Sequence, residues 1–183
     1  MAVIGLCVCL FLVWLFALAA YHKFTHLTYY SELLLEYLPT NGSTLLPPAA
    51  LKRVAAPVLA AMELSVAVLL LVPASRTIAL LMAIALLSMY ATAMLVQLIL
   101  GRRQLNCGCA GPASNTRISG VLVVRNIVLV LLAVAALSTG TSVSVSGLTV
   151  LVTGCATVFI ILLYLCAEQL IGNHQQLAVL KGV

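Results

Sequence analysis

The sequence predicts an all-α integral membrane protein, in which a bundle of four transmembrane helices is joined by a fifth. Hydrophobic residues make up 64% of the 183 residues and charged residues only 7%, whereas a soluble domain carries about a quarter charged residues. Five apolar runs are long enough to cross the hydrocarbon core of a bilayer. Helices are expected because lipid cannot satisfy exposed backbone groups. No internal repeat or second domain is evident, so residues 1–183 are expected to form one membrane domain.

The first two membrane helices are separated by a polar stretch. The first helix is predicted over about 3–20, and it is read as a retained helix because no Lys or Arg precedes it. A short amphipathic helix at about 31–38 sets leucines against two glutamates and is expected to lie on the membrane surface. The second membrane helix, about 55–72, carries Glu63 near its middle. An ionisable group at that depth requires a partner or a cavity.

The remaining membrane helices differ in their polar content. The third, about 77–100, contains no charged residue. The fourth, about 119–137, contains the adjacent residues Arg125 and Asn126. The fifth is predicted over about 148–167. Arg125 is therefore a second ionisable group that lipid alone cannot accommodate.

A Cys-Gly-Cys tripeptide lies in the polar turn between the third and fourth helices. Cys107 and Cys109 are separated only by Gly108, so a disulfide between them would close a small, strained ring that is easily reduced. Positive charge nearby favours the reactive thiolate, and three arginines flank the turn: Arg102, Arg103 and Arg117. The pattern favours a membrane-anchored thiol–disulfide centre. Two other interpretations stay open. The cysteines could be unpaired loop residues with no chemical role, or they could form part of a metal site with His22 or His26.

A polar layer is predicted beneath this turn. At 1.5 Å per residue, Glu63 lies about 12 Å and Arg125 about 9 Å from the cysteine side. Lys23 enters the same layer at the end of the first helix. We therefore expect Glu63 to pair with Arg125 or Lys23, directly or through one polar neighbour. The layer either holds the headgroup of a lipid-soluble electron carrier such as a quinone, with Asn126 among its residues, or only fixes the helix arrangement.

These motifs resemble those of the methylamine utilisation protein MauE family. The resemblance covers about residues 10–137 and rests on the stretches Lys23-Phe24, Leu38-Pro39, Gly101-Arg102-Arg103, Asn106-Cys107-Gly108-Cys109-Ala110-Gly111-Pro112 and Arg125-Asn126, together with Glu63. It implies a role in maturation of methylamine dehydrogenase, whose small subunit is rich in disulfides. It also implies a thioredoxin-like periplasmic partner of the MauD type.

The helix layout, with a cysteine motif before the fourth membrane helix, is also similar to that of vitamin K epoxide reductase. That family has a Cys-x-x-Cys centre at a quinone and usually a second cysteine pair in its first loop. Here only one residue separates Cys107 from Cys109, and the 21–54 loop contains no cysteine. A relay of electrons to other thiols would therefore need a partner protein.

The side of the membrane is predicted in two ways that disagree. Most Lys and Arg residues share the side of the cysteine turn, which favours the cytoplasm. Persistent disulfides and the resemblance favour the periplasm. We place the protein in the bacterial inner membrane with the cysteine turn on the periplasmic side. The primary functional hypothesis is thiol–disulfide exchange, and the alternatives are a non-catalytic assembly scaffold and a metal-handling membrane protein.

Overall fold

The computed structural model describes residues 2–37, 48–102, 117–139 and 146–180. These residues form six α-helices, with a single 3-10 turn, Pro73–Ser75, between the third and the fourth. The helices are α1 (Ala2–Thr25), α2 (Leu27–Tyr37), α3 (Pro48–Leu71), α4 (Arg76–Ile99), α5 (Gly120–Ser138) and α6 (Gly147–Leu180). The described ranges contain no β-strand, so the predicted all-α class is confirmed.

Five of the helices are long and apolar enough to cross a membrane, namely all except the short α2. Large apolar side chains are exposed on their outer faces, including Ile78, Val121 and Leu151. Such a surface suits contact with lipid rather than water. The prediction of five crossings is confirmed, and the chain is a multi-pass membrane protein.

Three helices are longer than predicted. α1 continues to Thr25, α3 begins at Pro48, and α6 continues to Leu180 instead of ending near 167. The predicted helices begin and end with the apolar runs. Hydrogen bonding within a helix does not require apolar side chains, so helices persist into polar surroundings when contacts hold them. The extension of α6 matters most because it contributes to the site described below.

The core lies where α1, α3, α4 and α5 meet. Its largest buried side chains include Phe16, Leu70 and Leu80. Alanines are fully buried between the helices on three of these elements: Ala56, Ala60, Ala79, Ala83 and Ala133. Small residues allow membrane helices to approach closely, and their packing replaces the hydrophobic drive that lipid removes. The predicted four-helix bundle with an added helix is therefore the observed arrangement.

Aromatic packing joins α6 to α1. The Tyr164 ring makes edge contacts with Phe11 and Trp14, at centroid distances of 5.6 and 6.0 Å. The Cys7 thiol lies 3.8 Å from the Thr153 carbonyl oxygen. Of the five candidate spans, that of α6 is the least buried. It therefore lies at the periphery of the bundle.

The cysteines of α1 are packing residues. Cys7 and Cys9 are both buried and unpaired. Residues two apart on a helix point in nearly opposite directions, which prevents a bond between them. Cys155 and Cys166 are also free, but they lie exposed on the outer face of α6.

The two ends of the bundle can be told apart by their contacts. At one end, the Thr139 hydroxyl after α5 occupies the space that a side chain at Gly5 would need. At the other end, α2 buries Tyr30 and Leu33 against its neighbours, and Glu32 stays exposed. The end that carries α2 is also the end of α1 that carries Lys23.

Candidate functional site

A cavity of about 670 Å³ lies at the α2 end of the bundle. All six helices line it. Its walls are mostly apolar and aromatic, with examples in Trp14, Phe16, Leu87 and Leu129. Its polar side chains come partly from the predicted polar layer and partly from α6. A volume of this size and an apolar wall with a few placed polar groups are typical of sites for small molecules.

Lys23 and Glu63 form a buried ion pair at this cavity. The Lys23 ammonium donates to both Glu63 carboxylate oxygens, at 2.7 and 2.8 Å. Glu63 is only 1% exposed, so the charge would be very costly without this partner. The prediction that Glu63 meets a basic side chain is confirmed, with Lys23 in that role.

Two tyrosines complete this cluster. The Tyr90 hydroxyl donates a 2.6 Å hydrogen bond to Glu63. The Lys23 nitrogen lies 5.3 Å from the Tyr30 ring centroid and 5.5 Å from that of Tyr90. Aromatic faces attract cations at such distances. Together the four side chains connect α1, α2, α3 and α4 around one charge, and we call them the Lys23 cluster.

A second ion pair joins α5 to α6. Arg125 pairs with Glu168, which lies on the extension of α6. The Arg125 guanidinium also lies 5.9 Å from the Tyr164 ring centroid. The polar part of α6 therefore reaches back to the start of α5 and forms one wall of the cavity. Both predicted intramembrane charges, Glu63 and Arg125, line the same space.

Asn126 is one of the residues that line this cavity. It is 2% exposed, and within the described residues its Nδ2 group has no hydrogen-bond partner. Buried polar groups are nearly always hydrogen-bonded, so an exception calls for an explanation. The next turn of α5 places Leu129 on the same wall.

The candidate thiols lie outside the described residues. We define the cysteine segment as residues 103–116; it contains Cys107, Cys109 and Arg103. Its two neighbours, Arg102 and Arg117, are described and flank it on either side.

The chain enters the cysteine segment from the end of α4. Gly101, with φ +74°, reverses the backbone in the left-handed conformation that glycine tolerates best. The Arg102 amide then donates to the Gln97 carbonyl oxygen at 3.0 Å. The Arg102 guanidinium reaches the Glu36 carbonyl oxygen of α2, at 3.5 Å. Arg102 is thus held at the helix that covers the cavity.

The chain leaves the cysteine segment at the extension of α6. The Gln175 side chain accepts a hydrogen bond from the Arg117 amide at 2.9 Å and donates one to the Arg117 carbonyl oxygen at 3.0 Å. It also donates to the Ser119 hydroxyl at 3.2 Å. The next residue, Gln176, lines the cavity. Both ends of the cysteine segment are therefore attached to elements that form the cavity wall.

Sequence reasoning missed several residues of this site. Tyr90 lies within α4, and its signal was the hydroxyl, because a buried tyrosine usually finds a polar partner. Glu168 lies just past the predicted end of the fifth membrane helix, and no role was predicted for it. Tyr30 and Gln175 carry no signal in the sequence pattern.

The metal hypothesis gains no support from the described part of the chain. No group of three or more His, Cys, Asp and Glu side chains is arranged there to hold an ion. α1 ends at Thr25, so His26 falls beyond the helix that carries His22. The two histidines are still one helical turn apart, because the His26 amide donates to the His22 carbonyl oxygen at 3.1 Å.

The fold and the cavity define a class: a multi-pass helical membrane protein with a mostly apolar cavity at one end of its bundle. The family model described as "Methylamine utilisation protein MauE" matches residues 1–139. The chain belongs to the MauE family. The matched part includes α1 to α5 and the cysteine segment, and α6 follows it.

Two curated proteins align over most of the chain. "Methylamine utilization protein MauE" of Paracoccus denitrificans is 36% identical over 168 residues, which cover 89% of this chain and 84% of that protein. The protein of the same name from Paracoccus versutus is 36% identical over 176 residues, covering 94% and 91%. No solved structure matches this chain, so the likeness to vitamin K epoxide reductase stays a prediction.

Proposed function

We propose that this protein takes part in methylamine utilisation as a membrane thiol–disulfide redox protein. Its family and its relatives carry that utilisation role in their names. The observation that carries the redox proposal is that the two residues flanking the cysteine segment, Arg102 and Arg117, are hydrogen-bonded to α2 and α6, two of the helices that line the cavity. This attachment supports the proposal that chemistry at the thiols is linked to occupancy of the cavity.

The proposed centre is the pair Cys107 and Cys109. In the oxidised state their disulfide accepts two electrons from the dithiol of a thioredoxin-like partner of the MauD type. One disulfide breaks and another forms, through a mixed disulfide. The partner in turn oxidises cysteines of the methylamine dehydrogenase small subunit, which is the proposed client. Arg102 and Arg103 favour the thiolate form of the attacking cysteine.

A membrane quinone is the proposed acceptor that restores the centre. The reduced Cys107 and Cys109 lose two electrons and two protons as their disulfide forms again, and the quinone takes up both to become a hydroquinone. Lys23, Glu63, Arg125 and Asn126 line the cavity proposed to receive it. We propose the bacterial inner membrane as the location, with the cysteine segment on the periplasmic side, where disulfides persist.

Counting thiols tests the redox proposal. The chain has six cysteines, and the four in the described helices are free. Membranes are quenched with acid to preserve the thiol and disulfide states, and the protein is then denatured and labelled with maleimide. It should therefore bind four labels without reductant and six labels after reduction. The Cys107→Ser variant serves as the matched control and should bind five labels in both states after removal of small-molecule adducts. If the protein binds six labels without reductant, even after exposure to a quinone, the result would favour the alternative function of an assembly scaffold.

A further inference from the structure

We propose that the cavity selects an uncharged ring that carries a carbonyl group, and that the Asn126 amide donates the hydrogen bond that holds this carbonyl. The inference rests on the proposed function only in taking the occupant to be the redox carrier. It assigns the specificity of the cavity to one side chain on α5. Three features of the described residues support it.

The first feature is the charge balance of the wall. Each cation on the wall has a carboxylate beside it: Lys23 pairs with Glu63, and Arg125 pairs with Glu168. A site for a phosphate or carboxylate headgroup needs surplus positive charge. The balanced pairs here favour a neutral headgroup over an anionic lipid.

The second feature is the apolar lining. Trp14, Leu87, Leu129 and Tyr164 offer flat or aliphatic surfaces to an occupant. An apolar lining stabilises a lipid-soluble molecule relative to water. Within a membrane this lining gives little selectivity, because the surrounding lipid is equally apolar. Selection must therefore come from polar groups.

The third feature is the unpaired amide. Nδ2 of Asn126 is a donor, it is buried, and within the described ranges nothing accepts from it. The Glu63 carboxylate already accepts bonds from Lys23 and Tyr90. A carbonyl oxygen on the occupant accepts without donating, so it satisfies Asn126 and disturbs neither ion pair. An occupant without such an acceptor leaves the amide unsatisfied, which is unfavourable.

The single tryptophan supplies a direct probe. Trp14 is the only tryptophan in the sequence, and it lines the cavity. Quenching of its fluorescence by decylubiquinone should therefore report binding in purified protein. The Asn126→Leu variant replaces the amide by an apolar group of the same branching, and Asn126→Ala repeats the test with more space. Both should weaken binding about tenfold, the effect of one hydrogen bond.

Asn173 provides the matched control. It is a second asparagine on the cavity wall, but it is exposed. The Asn173→Leu variant should bind decylubiquinone like the unmodified protein. Equal losses in the Asn126 and Asn173 variants, or no loss in either, would overturn the assignment.

Thermal unfolding distinguishes a binding role from a structural role. Removing an unpaired buried amide should leave the melting temperature of the empty Asn126→Leu protein unchanged or higher. The rise in melting temperature that decylubiquinone causes in the unmodified protein should shrink in the variant. A lower melting temperature of the empty variant with an intact rise would show that Asn126 serves the fold, and the proposal would fail.

Two further results separate this inference from the redox proposal. Phosphatidylglycerol should not displace decylubiquinone, and displacement would show that the cavity prefers an anionic headgroup. The Cys107→Ser variant should keep quinone binding that depends on Asn126. If this variant binds quinone in that way and also matures the client normally, the redox proposal fails. The assignment of the cavity's specificity to Asn126 would then still stand.

Discussion

Replacing Cys107 or Cys109 by serine is expected to abolish maturation of the client while the helices remain folded. A single cysteine cannot form the intramolecular disulfide that the exchange requires. Among the described residues, the main buried core consists of residues of α1, α3, α4 and α5, so we expect the helices to fold without the thiols. The measurement is the yield of active methylamine dehydrogenase in a strain whose only copy of the gene carries the variant, with membrane protein levels determined in parallel.

The exposed cysteines of α6 serve as matched controls. Cys155 and Cys166 are free and lie on the outer face of the bundle, so their serine variants should support normal maturation. If the Cys107 and Cys109 variants mature the client as well as these controls do, the thiol pair has no redox role. If Cys155 or Cys166 proves equally necessary, the centre has been assigned to the wrong cysteines.

Replacing Glu63 by alanine is expected to cause the largest loss of stability of any single substitution proposed here. The change leaves the Lys23 ammonium buried without its carboxylate and also removes the acceptor for the Tyr90 hydroxyl. Breaking one partner of a buried pair costs about 3–5 kcal/mol. Thermal unfolding in detergent, followed by circular dichroism, measures the effect as a lower melting temperature.

A neighbouring residue and a double variant make this test specific. Leu64 adjoins Glu63 in sequence but is 44% exposed on the outer face, so Leu64→Ala should change the melting temperature little. The double variant Lys23→Met with Glu63→Leu removes both charges and should recover most of the loss, since an apolar pair can replace a buried ion pair. Equal effects of Glu63→Ala and Leu64→Ala would contradict the buried ion pair.

Much of the fold was predictable because lipid imposes simple rules. Spanning helices must be long and apolar, and the five apolar runs satisfied that requirement. The pairing of Glu63 was predictable from its depth in the membrane, because Lys23 and Arg125 are predicted at a similar depth. Depth could not decide between them, because it says nothing about rotation around the helix axis.

The wall formed by α6 could not be predicted. Its polar part, from Glu168 onward, is only weakly amphipathic, and the predicted helix therefore ends near 167. The contacts that stabilise it, Glu168 with Arg125 and Gln175 with Arg117, join residues distant in sequence. Tyr90 was missed for a related reason, since its role depends on a partner on another helix.

The most direct test of the central claim is the capture of a mixed disulfide with the partner. The Cys107→Ser and Cys109→Ser variants are expressed with a thioredoxin-like protein of the MauD type that lacks its resolving cysteine. Acid-quenched membranes are then analysed by non-reducing electrophoresis and mass spectrometry. The account predicts that one of the two variants forms a covalent adduct through its remaining cysteine, and that reductant dissolves this adduct. Absence of an adduct from both variants, with both proteins present at normal levels, would contradict thiol–disulfide exchange at this centre.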